Sequence, residues 1–274
     1  MVGKKKDYKN ILSEVPNTNR INEFVALWNG EISSKTFEIK IDNKEENLLD
    51  YKKFGMDFGA IREEEKLLDE KFRFLTSRPV DALDESFTIE MVRLLDAIYS
   101  TRLDNPTRFA IQLHELIKGG LLEEIKLPKE ENNIKHAAEC VDCIASIYVN
   151  SPTLIFHSAY SFATKFCNRI NPSRFPIYDS YVDFLLYHYH LVECTRKELK
   201  DYKSFIKIYD DYIKRWDIDM NLNYKDVDIF MWTYGKAVKK SQGLDMSSSE
   251  KYARLKSNTV LNELKKNIKT NDGR

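Results

Sequence analysis

Lys165 and Asp179, fourteen positions apart, have the side chains and surroundings of a nucleophile and a carboxylate partner. Pro172 follows Asn171 and cannot continue a helix, so the helix carrying Lys165 is expected to end near Ile170. A start near Phe162 would set Lys165 in the first turn, where the positive end of the helix dipole disfavours an ammonium. Phe162 and Phe166 would exclude water and again favour the neutral amine. A neutral lysine is a nucleophile. Asp179 stands before the apolar helical run Ser180-Tyr-Val-Asp-Phe-Leu-Leu-Tyr187 and reads as its N-cap. The alternatives are a solvated lysine and a purely structural cap. For Asp179 the two roles are compatible, because a capping carboxylate can also stabilise a positive charge that develops beside it.

The stretch from Ala159 to Val182, with Ser161-Phe-Ala-Thr-Lys165 at its start and Pro176-Ile-Tyr-Asp179 near its end, resembles the core of the helix-hairpin-helix DNA glycosylases. The nearest resemblance is to the 8-oxoguanine glycosylase-like branch. In that superfamily a hairpin reading roughly Leu-Pro-Gly-Val-Gly-Thr-Lys opens the helix of the nucleophilic lysine, and a loop delivers an aspartate to the next helix. Thr164 and Lys165 match the end of the hairpin, whereas Ser161 and Ala163 stand where the family has glycine. The resemblance implies that Lys165 attacks the sugar C1′ and that Asp179 activates the lysine and stabilises the positive sugar. It also implies that Ser161, Ala163 and Thr164 approach a DNA phosphate, and that the product is an abasic site, with or without strand cleavage at it.

An enzyme acting on a base in a duplex must extract the base and hold it in a pocket. The stretch Asp226-Val-Asp-Ile-Phe-Met-Trp232-Thr-Tyr234-Gly235 resembles a late helix of the same relatives whose aromatic residues lie beside the base pocket. This makes Trp232, with Tyr178, a candidate stacking surface, the alternative being an aromatic core stripe. Asn105 and Arg108 fall where 8-oxoguanine glycosylases place residues against the orphaned partner base. The resemblance implies a monomer that acts on double-stranded DNA containing a modified base and needs no cofactor. Its substrate is expected to be an oxidised purine. The alternative is a sugar-bearing cytosine, since bacterial relatives include anti-phage enzymes that excise such bases from viral DNA.

Two other function classes compete. Arg108 and His114 satisfy the loose Arg-x4-6-His signature of helical HEPN-type ribonucleases, although Phe109 replaces the usual polar residue after the arginine. The missing hairpin glycines suit a DNA-binding protein that has lost its chemistry. Cys140 and Cys143 have metal-like spacing, but with Ala137, Val141, Ile144 and Tyr148 they form one apolar helical stripe, so no metal is expected.

The elements that must position these residues read as a mainly α, helix-hairpin-helix glycosylase-like fold with an atypical N-terminal segment. Stripes run through Phe87, Met91, Leu94, Leu95 and Ile98, through Phe109, Leu113, Leu116 and Ile117, and through Phe205, Ile208, Tyr209 and Tyr212. Another runs through Val227, Phe230, Met231, Tyr234 and Val238. Lys35-Thr-Phe-Glu-Ile-Lys-Ile41 alternates as a strand does. Ser151-Pro152 reads as a helix start. The divisions expected are an N-terminal segment over 1–80, a glycosylase-like core over 81–243 and a basic helical segment over 244–274.

The chain has 274 residues and a formal net charge of zero. No apolar stretch is long enough for a membrane span or a signal peptide, so a cytoplasmic protein is expected. Charge is uneven along the chain. From Lys236 to Arg274 eight Lys and two Arg face Asp245, Glu250, Glu263 and Asp272, a net +6. If this segment follows a phosphate backbone, truncation after Gly243 should weaken binding to every duplex and flatten its dependence on salt, as measured by titration at several salt concentrations. An unchanged salt slope would reduce Lys251 to Lys269 to a solvated face.

Overall fold

Apolar side chains three and four residues apart recur along the chain, and the fold they build is mainly α. The computed structural model describes residues 18–31, 36–38, 48–50, 58–99, 101, 103–129, 133–148, 159–188, 192–216, 218 and 222–241. Helix α1 spans Thr18–Asn29, followed by strands β1 (Thr36–Glu38) and β2 (Leu48–Asp50), which pair antiparallel with Phe37 opposite Leu49. Then come α2 (Phe58–Ser77), α3 (Glu85–Tyr99), α4 (Pro106–Leu116), α5 (Leu122–Lys126), α6 (Ile134–Ala145) and α7 (Tyr160–Ile170). The remaining helices are α8 (Ser180–Asp183), α9 (Arg196–Leu199), α10 (Tyr202–Arg215) and α11 (Tyr224–Ser241).

The chain divides into two compact units, Met1–Arg62 with Pro176–Asp245 and Glu63–Phe175 with Met246–Arg274. This division runs across the expected boundaries at 80 and 243. Its cause is packing: α1, inside the expected N-terminal segment, buries Ile21, Phe24 and Leu27 and sets Phe24 edge-on against Phe230 and Tyr234 of α11. Residues 244–274 lie outside the described residues, as do Ser151, Pro152 and the ends of the expected strand at Lys35 and 39–41.

In the unit that contains α3 to α7, the expected stripes are the buried faces. Met91, Leu94 and Leu95 of α3 and Phe109 and Leu113 of α4 are buried. Phe162 of α7 meets Phe109 edge-on at 4.9 Å and stacks on Phe166, which meets Phe72 of α2. Gly120, at φ +99°, breaks the helical path between α4 and α5 in a conformation that other residues rarely adopt.

In the other unit, Phe205, Ile208, Tyr209 and Tyr212 line the buried face of α10, and Val227, Phe230, Met231 and Tyr234 that of α11. Gly235 lets α11 approach α8: a Cβ there would stand 3.0 Å from Tyr181 Cβ and 3.2 Å from the Tyr181 carbonyl oxygen. Gly235→Ala would gain about 1 kcal/mol in helix propensity but lose about 1–3 kcal/mol to overpacking, so a modest net destabilisation is expected in urea denaturation. A more stable variant would mean that the two helices separate at little cost.

Candidate active site

Helix α7 begins at Tyr160, two residues earlier than its sequence predicts, and ends at Ile170 as expected. Lys165 is therefore the sixth helical residue and stands in the second turn, beyond the reach of the terminal dipole. Lys165 is only 4% exposed, and its Nζ donates to Ser161 Oγ at 3.0 Å and lies 5.3 Å from the centre of the Tyr99 ring. Lysines are seldom so enclosed unless their amine is partnered.

One turn on, Arg169 explains the order around it. Its side chain is 2% exposed and is paired with Glu65 and, at 2.6 Å, with Asp69, both on α2. Its Nε donates to the Tyr99 hydroxyl at 3.1 Å, and its guanidinium lies 5.5 Å from the same ring that faces Lys165. Burial opposes the charge on Arg169, but Tyr99, Glu65 and Asp69 more than offset it, so the guanidinium stays protonated. Burial also pushes the Tyr99 phenol well above its ordinary range, against the pull of Arg169, and keeps it neutral. The sequence reading missed this group. Glu65 belongs to the acidic run Glu63-Glu64-Glu65, and only its place on the buried face of α2 distinguishes it.

The residues expected to form the hairpin lie within a helix. Ser161, Ala163 and Thr164 are helical residues of α7, and Ala163 and Thr164 are buried. The Ala163 amide donates to Ala159 C=O at 2.8 Å, and the Thr164 hydroxyl to Ser161 C=O at 3.1 Å. Ala163 thus has no spare donor for a phosphate, because the small residues that replace glycine continue the helix. Ser161, half-buried, instead holds Lys165.

Asn105 is the N-cap of α4, its Oδ1 accepting from the Arg108 amide at 3.0 Å, with Pro106 beginning the helix. Arg108 is exposed. His114 lies on a different face of the helix, buried, with Nδ1 3.0 Å from the Thr88 hydroxyl. Six residues at 3.6 per turn set Arg108 and His114 about 120° apart around α4, so the ribonuclease spacing does not bring them onto one face.

In the other unit, Asp179 is the N-cap of α8 and is buried, its Oδ1 accepting from the amides of Tyr181 (2.8 Å) and Val182 (2.9 Å). The loop before it is fixed by residues that sequence reading did not select. The Asp228 carboxylate, buried, accepts from the Ile177 amide at 3.0 Å and the Tyr209 hydroxyl at 2.7 Å, and the Tyr202 hydroxyl donates to Pro176 C=O. Burial and Asp228 push the Tyr209 phenol far up, so it remains a donor. Tyr178 is half-buried, donating to Asp183 at 3.2 Å with its ring edge-on to Phe205. Trp232 is half-buried and meets Trp28 and Tyr181 edge-on at 6.1 Å each, with Lys236 Nζ 4.6 Å from its ring centre.

Among the described residues, no group of three His, Cys, Asp or Glu side chains is placed to hold a metal ion. Ala137, Cys140, Val141 and Ile144 form the buried stripe, and burial pushes the Cys140 thiol up to about 11. No helix among the described residues is long and apolar enough to cross a membrane.

No protein-family model and no solved structure matches the chain. A curated relative from Haemophilus influenzae, named there as an uncharacterized protein, is 39% identical over 83 residues. The match covers 29% of this chain and 38% of the relative.

Arg169→Met would leave Glu65 buried without its guanidinium and is expected to cost about 3–5 kcal/mol in urea denaturation. Asp69, 45% exposed, is a weaker partner, and Asp69→Asn should cost less than about 1 kcal/mol. Equal losses from the two substitutions would count against the burial argument.

Proposed function

We propose that the chain is a DNA N-glycosylase that excises a modified base through Lys165 and leaves an abasic site. One observation carries the reading: a lysine amine almost wholly removed from water, held at Nζ by Ser161 and lying over the Tyr99 ring, at the position where the sequence resembles the family's nucleophile. The Nζ lone pair forms a bond to C1′ as the C1′–base bond breaks, and the base leaves with the electron pair and takes up a proton. Ring opening of the sugar then gives an imine between Nζ and C1′, which water hydrolyses. The resemblance assigns to Asp179 the negative charge that a cationic sugar requires. Its support is a buried carboxylate fixed by two backbone amides, which needs little reorganisation as charge develops. Trp232 and Tyr178 are assigned to the extracted base, and Asn105 and Arg108 to the partner strand, where the exposed guanidinium suits a DNA contact.

A second reading, a DNA-binding protein without chemistry, is favoured by the helical path of α7 through Ser161 to Thr164, which differs from a glycine hairpin. Duplexes carrying 8-oxoguanine or glucosylated hydroxymethylcytosine separate these readings and the two substrate classes. Sodium borohydride, which donates hydride to the imine, should trap wild-type protein on one of them and should not trap Lys165→Gln. Trapping of the variant at the wild-type level would remove Lys165 from the chemistry, and duplex binding without trapping or base release would favour the silent protein. Asp179→Asn should melt close to wild type, because Asn caps about as well as Asp, while single-turnover excision falls by on the order of 10²-fold. Normal excision per folded molecule would leave Asp179 a structural cap.

A further inference from the structure

We infer that Tyr99 is a positioning residue for Lys165, its ring forming the platform that sets where the amine meets its electrophile; the inference rests on the glycosylase reading for the identity of that electrophile. Lys165 and Arg169 are one turn apart on α7, and both lie against the one aromatic ring, Nζ at 5.3 Å and Cζ at 5.5 Å from its centre. An aromatic face attracts cations, and the attraction grows when water is excluded. Tyr99 is the last residue of α3, and its hydroxyl accepts from Arg169 Nε at 3.1 Å. Arg169 is in turn held by Glu65 and Asp69 of α2.

A swing of the ring to another rotamer would therefore break the hydrogen bond from Arg169 to its hydroxyl. A lysine alone would place its amine poorly, since its four-carbon stem has many rotamers. Here the amine lies against the Ser161 hydroxyl at 3.0 Å and against the ring, whose own position is set by α2 and α3. Attack at C1′ requires the reacting atoms to approach along one direction, and a displacement of about 1 Å can cost on the order of 10²-fold in rate. Tyr99 would act through Lys165 without touching the sugar.

The test uses the full chain as wild type, Tyr99→Phe and Tyr99→Leu, with melting curves to confirm folding. One readout is the rate at which N-hydroxysuccinimidyl acetate acylates Lys165, followed by peptide mass spectrometry, which needs no DNA. The other is borohydride trapping on a duplex with a preformed abasic site, which needs no recognition of a damaged base. Tyr99→Leu should raise acylation several-fold, as the amine is released to solvent, and lower trapping by on the order of 10²-fold. Tyr99→Phe, which retains the ring face but loses the hydroxyl that ties it to Arg169, should fall between wild type and Tyr99→Leu in both readouts. Should Tyr99→Leu not fold, Tyr99→Met fills the space without a π-face and is read in the same way. Wild-type acylation in the folded Leu or Met variant, or Phe behaving like Leu, would overturn the inference. A wild-type protein that traps no DNA while the acylation pattern holds would refute the glycosylase reading and leave Tyr99 as the residue that holds Lys165.

Discussion

The buried guanidinium of Arg169 is the constraint on which the Lys165 surroundings depend. A charge removed from water carries a desolvation cost of several kcal/mol unless its donors are satisfied. Arg169 meets that requirement with Glu65 and Asp69 from α2 and Tyr99 from the end of α3. The consequence is geometric: three helices are tied at one point, and Lys165, one turn away on α7, inherits a neighbour that is itself held in place. Replacing the network by apolar side chains could be as stable, but it would leave the lysine without a fixed ring and hydroxyl around it. The ion pair is better explained by the order it imposes than by the stability it adds.

A second buried carboxylate has a comparable task in the other unit. Asp228 accepts from the Ile177 amide and the Tyr209 hydroxyl, and Tyr202 holds the Pro176 carbonyl. These contacts lie within the three residues before Asp179, so the entry to α8 is fixed from outside the cap as well as by it. Gly235 completes the arrangement by letting α11 come close to Tyr181. In each unit, a candidate catalytic side chain stands beside a polar anchor that contributes nothing to the chemistry directly.

The local features of the candidate site were legible in the sequence. Pro172 stops α7 at Ile170, and Asp179 before an apolar helical run becomes an N-cap whose oxygen accepts two amides. Both depend on neighbours within a few residues, as capping and proline chemistry do. The start of α7 was not legible in the same way. Tyr160 and Ser161 have no strong preference against a helix, and their helical path moves Lys165 out of the first turn.

What the sequence alone determined is the mainly α character, the faces of the helices and the caps, because periodicity and capping are properties of adjacent residues. Tertiary structure decided which charges are enclosed. Glu65 and Arg169 lie 104 positions apart and Tyr99 and Arg169 lie 70 apart, so no local pattern could pair them. Likewise Asp226 and Asp228 look alike in the chain, yet packing encloses Asp228 beneath Tyr209 and leaves Asp226 half-buried. Long-range burial, set by how helices stack, turned ordinary charged residues into the ones that fix the site.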